Sequence, residues 1–444
     1  MSPGTFPATS RTGFGFHGVV AATSYFQVMG LPVAFAEIEA AAERIAAYVV
    51  RTPTVLAATI GERINTELFL KLETRQRTGA FKDRGAANRL LQLGPTERAR
   101  GVIAMSAGNH AQAVAYQAER LGIAATIVMP ESTPFTKIRR TQGFGARVVL
   151  AGDVLADAAE RAQAIAAEEG LTIVHPYDDA RIVAGQGTAG LELFADVDDL
   201  DVLVVPIGGG GLIAGCAIAA KAARPQVEIV GVQTAAYPSF HQIRNGLPQV
   251  CGGQTVAEGI AVKAIGDIPL AIARALVDDV VVVSERSIER AIHHFLEDEK
   301  LVAEGAAAAG LAAILDDPER FAGKRVGLIV CGGNIDTGLL ANVIARVRLS
   351  EGRVVRMRVE IVDRPGVLAH VARLIGECGA NILDVMHQRL FSDVTSKNAE
   401  LDITVETRSP EDVERILHRL HEANYFPHLL MTTAAAVKHE SYVR

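Results

Sequence analysis

The stretch DVLVVPIGGGGLIAGCAIAAKAA, Asp201–Ala223, contains three structural signals in direct succession. Val202 to Val205 form a continuous apolar run, which is typical of a strand buried on both faces. Four consecutive glycines follow, and a helix of small residues begins immediately after them. A buried strand that leads through a glycine turn into a helix predicts one unit of a parallel, doubly wound α/β sheet.

Similar units recur between Pro32 and about Ser350. In a doubly wound sheet, ligands bind beyond the carboxyl ends of the strands. The loops after Met105, Pro206 and Val330 are therefore candidate sites. The other predicted strands are LFLKLE, GVIAM, ATIVMP, ARVVLAG, LTIVHP, EIVGVQ, VVVVS and RVGLIVCGGN.

The pattern changes near Ser350, after which strand and helix signals follow the order βαββαβ. That order predicts a small ferredoxin-like domain. We expect a catalytic region at 31–350, with a smaller subdomain at roughly 100–175, and a separate domain at 351–444. Residues 1–30 have no acidic side chain and no convincing apolar core. They are expected to be a disordered tail or a misassigned start, and a transit peptide is a weaker alternative.

Bulk composition excludes several classes of function. The 444 residues carry a formal net charge of −7 and no basic block, which disfavours nucleic-acid binding. No apolar run is long enough to span a membrane. The 4 cysteines lack CxxC spacing, which disfavours a zinc site and a disulfide framework and favours the cytoplasm.

The four-glycine loop is the strongest signal for a ligand. Backbone N–H groups at a helix start, together with the helix dipole, form an anion site, so we predict that the loop binds a phosphate. An ordinary tight turn is the alternative, although it would not require four glycines. No Gly-Lys-Ser/Thr follows, as a P-loop requires. The loop also lacks GxGxxG spacing, which disfavours a nicotinamide-dependent dehydrogenase.

Lys82, in TGAFKDRGAANRL (Thr78–Leu90), lies at the start of a predicted helix. Phe81 makes its surroundings apolar. Desolvation, the positive end of the helix dipole and the neighbouring Arg84 would all disfavour its ammonium form. Such a lysine is a candidate Schiff-base nucleophile. A solvated surface lysine is the alternative.

Two further segments could contribute to the same site. In MSAGNHAQAVA, the backbone around Ser106 and Gly108 could hold a carboxylate at a helix start, and the Asn109 amide can both donate and accept. Ordinary helix capping is the alternative there. Cys331, in IVCGGNID, ends a strand at a glycine-rich turn, where a buried small apolar residue is the alternative.

TGAFKDRGA, SAGNHAQAVA, GGGGL and CGGN, in this order, resemble the fold-type II (tryptophan synthase β-like) pyridoxal-phosphate enzymes. Within them, residues 35–345 resemble the threonine dehydratases, also called threonine ammonia-lyases. The segments DDARIVAGQGTAGLEL and AEGIAVK are similar to that family as well. VEIVDRPGVLAHVARLIGECGANILDV resembles an ACT regulatory domain.

The resemblance implies pyridoxal phosphate as cofactor and a role for each matching residue. Lys82 would attach the cofactor covalently, with Phe81 beside its ring. Asn109 would bind the ring hydroxyl and Cys331 would face the pyridine nitrogen. The cofactor phosphate would be held by the glycine loop and the next residue: Gly208, Gly209, Gly210, Gly211 and Leu212. The substrate carboxylate would be received by Ser106, Ala107, Gly108, Asn109 and His110.

The chain departs from the family pattern at several positions. Ala80 stands where the family commonly has a serine, so one hydrogen bond near the cofactor would be absent. An aspartate at the position of Asp83 is less usual in the dehydratases and resembles threonine synthase. Related serine racemases have a second serine at the position of Ala107, so its absence argues against racemisation. Gln233 stands where the racemase cation site has a carboxylate, so we predict no required divalent metal.

The expected reaction converts L-threonine to 2-oxobutanoate and ammonia, with L-serine to pyruvate as a side activity. Another β-hydroxy amino acid, such as 3-hydroxyaspartate, is an alternative substrate, and an amino-acid sensor on the same fold is a non-enzymatic alternative. The ACT domain either binds an amino-acid effector such as isoleucine or valine, or serves only for dimerisation. The resemblance suggests a homotetramer or homodimer. The candidate effector residues are Asp363, Pro365, Gly366, Val367, Leu368, Asn381 and Ile382.

Overall fold

The structure is a computed structural model that describes residues 30–389, 395 and 397–430. The predicted tail therefore lies almost entirely outside the described residues. The chain divides into two compact units between Ile335 and Asp336. The limits predicted for the catalytic region and the C-terminal domain, 350 and 351, stay a prediction.

The larger sheet of the first unit has six strands in the order β1-β2-β10-β7-β8-β9. All neighbours are parallel except β1, a short antiparallel edge strand that the sequence did not predict. The strand β7 is buried along its whole length, as its continuous apolar run predicts. The strands are β1 (Thr54–Leu56), β2 (Glu67–Leu72), β7 (Val202–Pro206), β8 (Glu228–Thr234), β9 (Asp279–Val283) and β10 (Arg325–Val330).

The smaller sheet of this unit has four parallel strands in the order β5-β4-β3-β6. Its central strand β4 is buried at all five positions. Both parallel sheets confirm the predicted doubly wound α/β class. The strands are β3 (Val102–Met105), β4 (Ala125–Met129), β5 (Arg147–Leu150) and β6 (Thr172–Ile173).

Helices connect the strands of both sheets, as parallel neighbours require. None of the described helices is long and apolar enough to cross a membrane. Short 3₁₀ turns lie at Glu73–Arg75 and Glu258–Ile260. The α-helices of the first unit are Phe35–Ile45, Ala58–Arg63, Lys82–Leu91, Pro95–Arg100, Asn109–Leu121, Phe135–Gln142, Leu155–Glu169, Ala180–Asp196, Gly211–Ala223, Ser239–Arg244, Asp267–Leu276, Glu285–Glu297, Gly305–Asp316 and Pro318–Phe321.

The second unit has a four-stranded antiparallel sheet in the order β12-β13-β11-β14. Met357, Val359 and Ile361 alternate with polar residues along β11 and join the core of this unit. The βαββαβ order confirms the predicted ferredoxin-like layout. The elements are Thr337–Ser350 (helix), β11 (Val354–Val362), Val367–Glu377 (helix), β12 (Asn381–Gln388), β13 (Asn398–Glu406), Pro410–Glu422 (helix) and β14 (Pro427–Leu429).

Candidate active site

Lys82 is the first residue of the helix Lys82–Leu91, and its side chain is largely removed from solvent. Its Nζ donates a hydrogen bond of 2.6 Å to the carbonyl oxygen of Pro176. Burial lowers the pKa of the Lys82 ammonium to about 8, against the opposing effect of Cys331 and Glu304. A lysine with this pKa can act as a nucleophile or a base near neutral pH.

Arg84 does not act on Lys82 as the sequence suggested. Its guanidinium is fully buried and faces away into an ionic network. It forms a bond of 2.8 Å from Nε to Glu73 and one of 2.7 Å from Nη1 to Glu192. Two carboxylates therefore compensate the charge of Arg84, and desolvation is what lowers the pKa of Lys82.

The loop before Lys82 is held at Thr78 by the buried carboxyl group of Asp83. Asp83 accepts hydrogen bonds from the hydroxyl and the N–H of Thr78. Burial raises the pKa of the Asp83 carboxyl to about 6, against those two bonds. At Gly79, where φ is +78°, a Cβ would lie 2.8 Å from Oδ1 of Asn334, so this tight loop requires glycine.

The glycine loop has no space for side chains on its packed faces. A Cβ at Gly209 would lie 2.2 Å from the ring of Tyr177, and one at Gly210 would lie 2.7 Å from Ile265. Gly210 has a φ of +89° and precedes the helix Gly211–Ala223. The first N–H groups of a helix have no intrahelical acceptor and favour an anion. The loop therefore fits a phosphate group.

The segment Ser106–His110 connects the end of β3 to the helix Asn109–Leu121. A Cβ at Gly108 would meet nothing within 4 Å, so its backbone borders open space. The imidazole of His110 instead points inward, with Nε2 2.9 Å from the carbonyl oxygen of Val174. Burial lowers the pKa of His110 to about 3, so its ring is neutral and only its backbone N–H suits a carboxylate.

The amide of Asn109 lies in a network that reaches the Lys82 loop. Its Nδ2 donates to both carboxylate oxygens of Glu304, at 2.8 and 3.1 Å. Its Oδ1 accepts from Nδ2 of Asn334 at 2.9 Å. The same nitrogen of Asn334 donates to the carbonyl oxygen of Thr78 at 2.7 Å. Four distant segments of the chain are thereby joined.

Cys331 is buried directly after β10. Its carbonyl oxygen accepts a hydrogen bond of 2.9 Å from the N–H of Phe81. Burial raises the pKa of the Cys331 thiol well above its usual value, so the sulfur is neutral at pH 7. The backbone bond brings Cys331 beside the segment that carries Lys82.

The structure brings the candidate site residues of the first unit together, in the loops that follow β3, β7 and β10. The segment 174–177 connects them, because the Pro176 carbonyl contacts Lys82 and the Tyr177 ring contacts the glycine loop. Gln233 is buried and bonds the Ser239 hydroxyl and the His241 N–H. The four thiols, Cys216, Cys251, Cys331 and Cys378, are free.

The candidate effector residues lie in the second unit, around the turn after β11 and the start of β12. Asp363 accepts from Nε of Arg389 at 2.8 Å, and Gly366 takes a φ of +88° immediately before the helix Val367–Glu377. Leu368, on the first turn of that helix, is 38% exposed.

Three residues of this site were not predicted from the sequence. Asn334 belongs to the quoted CGGN motif but received no role. Tyr177 follows the strand signal LTIVHP, and only its contact with Gly209 in the folded chain links it to the site. Glu304 precedes a helix of small residues and is indistinguishable from a capping residue in sequence.

Comparison with known proteins agrees with this geometry. Residues 45–332 match the family described as pyridoxal-phosphate dependent enzyme, and residues 350–425 match the ACT domain. L-threonine ammonia-lyase of Thermotoga maritima is 42% identical over 83% of this chain and 92% of that protein. L-threo-3-hydroxyaspartate ammonia-lyase of Saccharomyces cerevisiae is 39% identical over 69% of this chain and 94% of that protein.

Among solved structures, the processed form of threonine deaminase isoform 2 from Solanum lycopersicum has a TM-score of 0.66 and 32% identity, covering 70% of this chain and 93% of that chain. The family match spans most of the first unit and includes Lys82, the glycine loop and Cys331. This chain belongs to the pyridoxal-phosphate-dependent enzymes, in the group of the threonine ammonia-lyases, and carries an ACT domain.

Proposed function

We propose that this protein is an L-threonine ammonia-lyase that converts L-threonine to 2-oxobutanoate and ammonia, and L-serine to pyruvate as a side activity. One observation carries the proposal. A desolvated lysine, Lys82, shares a site with a glycine loop that fits a phosphate and with the amide of Asn109. The relatives named as threonine ammonia-lyases are similar over most of their length.

Lys82 is proposed to have two roles. Its amine would hold the cofactor covalently and, once displaced by the substrate amine, would take the proton from the substrate Cα as a general base. With a pKa of about 8, roughly a tenth of free Lys82 is neutral at pH 7. Pyridoxal phosphate, when bound, withdraws electrons from Cα and makes that proton acidic.

The other residues are proposed to bind and orient. The N–H groups of Gly208–Gly211 and Leu212 would hold the phosphate, and Phe81 would pack beside the ring. Asn109 would donate to the ring hydroxyl. Cys331 would face the pyridine nitrogen as a neutral thiol, a weak partner that favours elimination over transamination. The N–H groups of Ser106–His110 would receive the substrate carboxylate.

The test is release of 2-oxo acid from purified protein that is given L-threonine. The proposal predicts 2-oxobutanoate and ammonia in equal amounts, and loss of both in Lys82→Ala. If the loaded protein leaves threonine unchanged but forms oxaloacetate from L-threo-3-hydroxyaspartate, the second candidate substrate is correct. That candidate is favoured by the yeast relative of that name.

We also propose that the ACT domain binds an amino-acid effector through Asp363, Pro365–Leu368, Asn381 and Ile382. The exposed apolar side chain of Leu368, beside the polar turn at Asp363, supports an aliphatic amino acid such as isoleucine or valine. Calorimetric titration of the full chain with each amino acid tests this. Absence of heat with both would leave dimerisation as the role of the domain.

We further propose that the protein acts in the cytoplasm as a homotetramer or homodimer. The free thiols and the family resemblance support these assignments. Light scattering of the purified full chain measures the assembly, and a mass of 47.1 kDa in solution would contradict it.

A further inference from the structure

Glu304 is a buried carboxylate in this site, and the proposed function assigns it no role. It immediately precedes the helix Gly305–Asp316, where the helix dipole favours a negative charge. A Cβ at Gly332 would lie 2.7 Å from its Oε1, and one at Gly259 would lie 3.1 Å away. Two glycines from separate loops therefore provide the space that this carboxylate occupies.

The first consequence concerns the orientation of the Asn109 amide. Burial raises the pKa of the Glu304 carboxyl, and the hydrogen bond from Asn109 opposes that rise. An ionised carboxylate only accepts hydrogen bonds, so it selects the NH₂ group of Asn109. Asn334 selects the opposite, carbonyl end of the amide. The two partners together leave one orientation of Asn109.

The second consequence concerns charge. Glu304 raises the pKa of Lys82, because its negative charge stabilises the ammonium form. The other groups that face Glu304 are Cys331, which is neutral, and the ion pair between Lys137 and Glu258. His110 and His175 also lie near Lys82, but burial lowers the pKa values of both rings, so they are neutral at pH 7 and do not oppose protonation of Lys82.

We propose that Glu304 is a positioning residue for this site: its carboxylate holds Asn109 in one orientation and stabilises Lys82 when Lys82 carries a proton. The inference rests on the roles proposed for Lys82 and Asn109. In the elimination, Lys82 takes a proton in a largely dry site, and a negative charge nearby lowers the energy of that ammonium. No proton needs to pass to Glu304 itself.

The experiment measures how readily Lys82 reacts with an amine reagent as a function of pH. The full chain is freed of cofactor, labelled with acetic anhydride, and digested so that mass spectrometry reports acetylation of Lys82. In a cofactor-free sample kept unlabelled, recovery of the cofactor absorption band after adding pyridoxal phosphate shows that the chain stayed native. In the parent protein, labelling should rise with a midpoint near pH 8.

Glu304→Gln removes the charge but keeps the size. The midpoint should move to lower pH, and labelling of Lys82 at pH 7 should increase about threefold to tenfold. Glu258→Gln is the matched control, because it neutralises an exposed carboxylate at the adjacent loop. It should leave the midpoint of Lys82 unchanged.

A midpoint in Glu304→Gln equal to that of the parent would overturn the proposal, as would an equal shift in Glu258→Gln. If Glu304→Gln does not fold, Glu304→Asp takes its place. It keeps the charge and should keep the midpoint near pH 8, while a fall as large as that expected for glutamine would contradict the inference. Labelling needs no substrate, so absence of threonine turnover tests the proposed function separately.

Discussion

Replacing Gly209 with alanine inserts a methyl carbon 2.2 Å from the ring of Tyr177. That distance is about 1.3 Å shorter than an ordinary carbon–carbon contact of ~3.5 Å. The backbone at Gly209 does not take a left-handed conformation, so the cost is steric. Either the ring or the glycine loop must move, and overpacking of this kind costs about 1–3 kcal/mol.

The displacement should affect cofactor binding more than folding, because Tyr177 follows the carbonyl that holds Lys82. If about 2 kcal/mol is lost from binding, the Kd for pyridoxal phosphate rises roughly thirtyfold. Fluorescence titration of the cofactor-free chain measures this Kd, and urea unfolding measures the remaining cost. Gly252→Ala is the control, since a Cβ there meets nothing within 4 Å.

Removing the ring should relieve the clash, so the double variant Gly209→Ala/Tyr177→Ala should bind the cofactor more tightly than the sum of the single changes predicts. Additive effects would refute the steric explanation. Wild-type affinity in Gly209→Ala would refute the assignment of the loop as the phosphate site.

Three further results are expected. Below pH 8 the rate of elimination should fall as Lys82 becomes protonated, and a rate independent of pH between 6 and 9 would contradict its role as the base. Arg84→Leu should lower the free energy of unfolding by about 3–5 kcal/mol in urea, because it leaves Glu73 buried without its partner. Arg147→Ala, which breaks the exposed ion pair with Glu169, should lower it by less than about 1 kcal/mol. The pKa of Asp83 is higher in the folded than in the unfolded chain, so its contribution to stability is present below its unfolded pKa and is lost as pH rises through about 6. Asp83→Asn should remove this fall in the free energy of unfolding, and an unchanged dependence of that free energy on pH would exclude Asp83 as its source.

Much of the architecture could be predicted because its signals are local. Continuous Val/Ile runs are compatible with few environments other than a buried parallel strand, and β4 and β7 are buried at every position. The edge strand β1 was missed because three residues with mixed exposure carry no periodic signal. The glycine loop and the helix start at Lys82 were visible for the same local reason.

The partners of those residues were not predictable. Arg84 follows Lys82 by two positions, yet its charge is compensated by Glu192, 108 positions away. Glu304 meets Asn109 across a separation of 195 positions. Such pairs depend on the order of strands in the sheet and on helix packing, and neither leaves a pattern in the neighbouring sequence.

The sequence by itself determined the class of fold, the order of the candidate ligand loops and the types of residue that could bind a phosphate and form a covalent link. Those properties follow from side-chain periodicity and from the conformational freedom of glycine, which act over a few residues. The tertiary structure alone decided that carboxylates compensate the charge of Arg84, that burial lowers the pKa of Lys82, and that the carboxylate of Glu304 faces the site. Electrostatic interactions and desolvation depend on distances through space, and only the folded chain sets those distances.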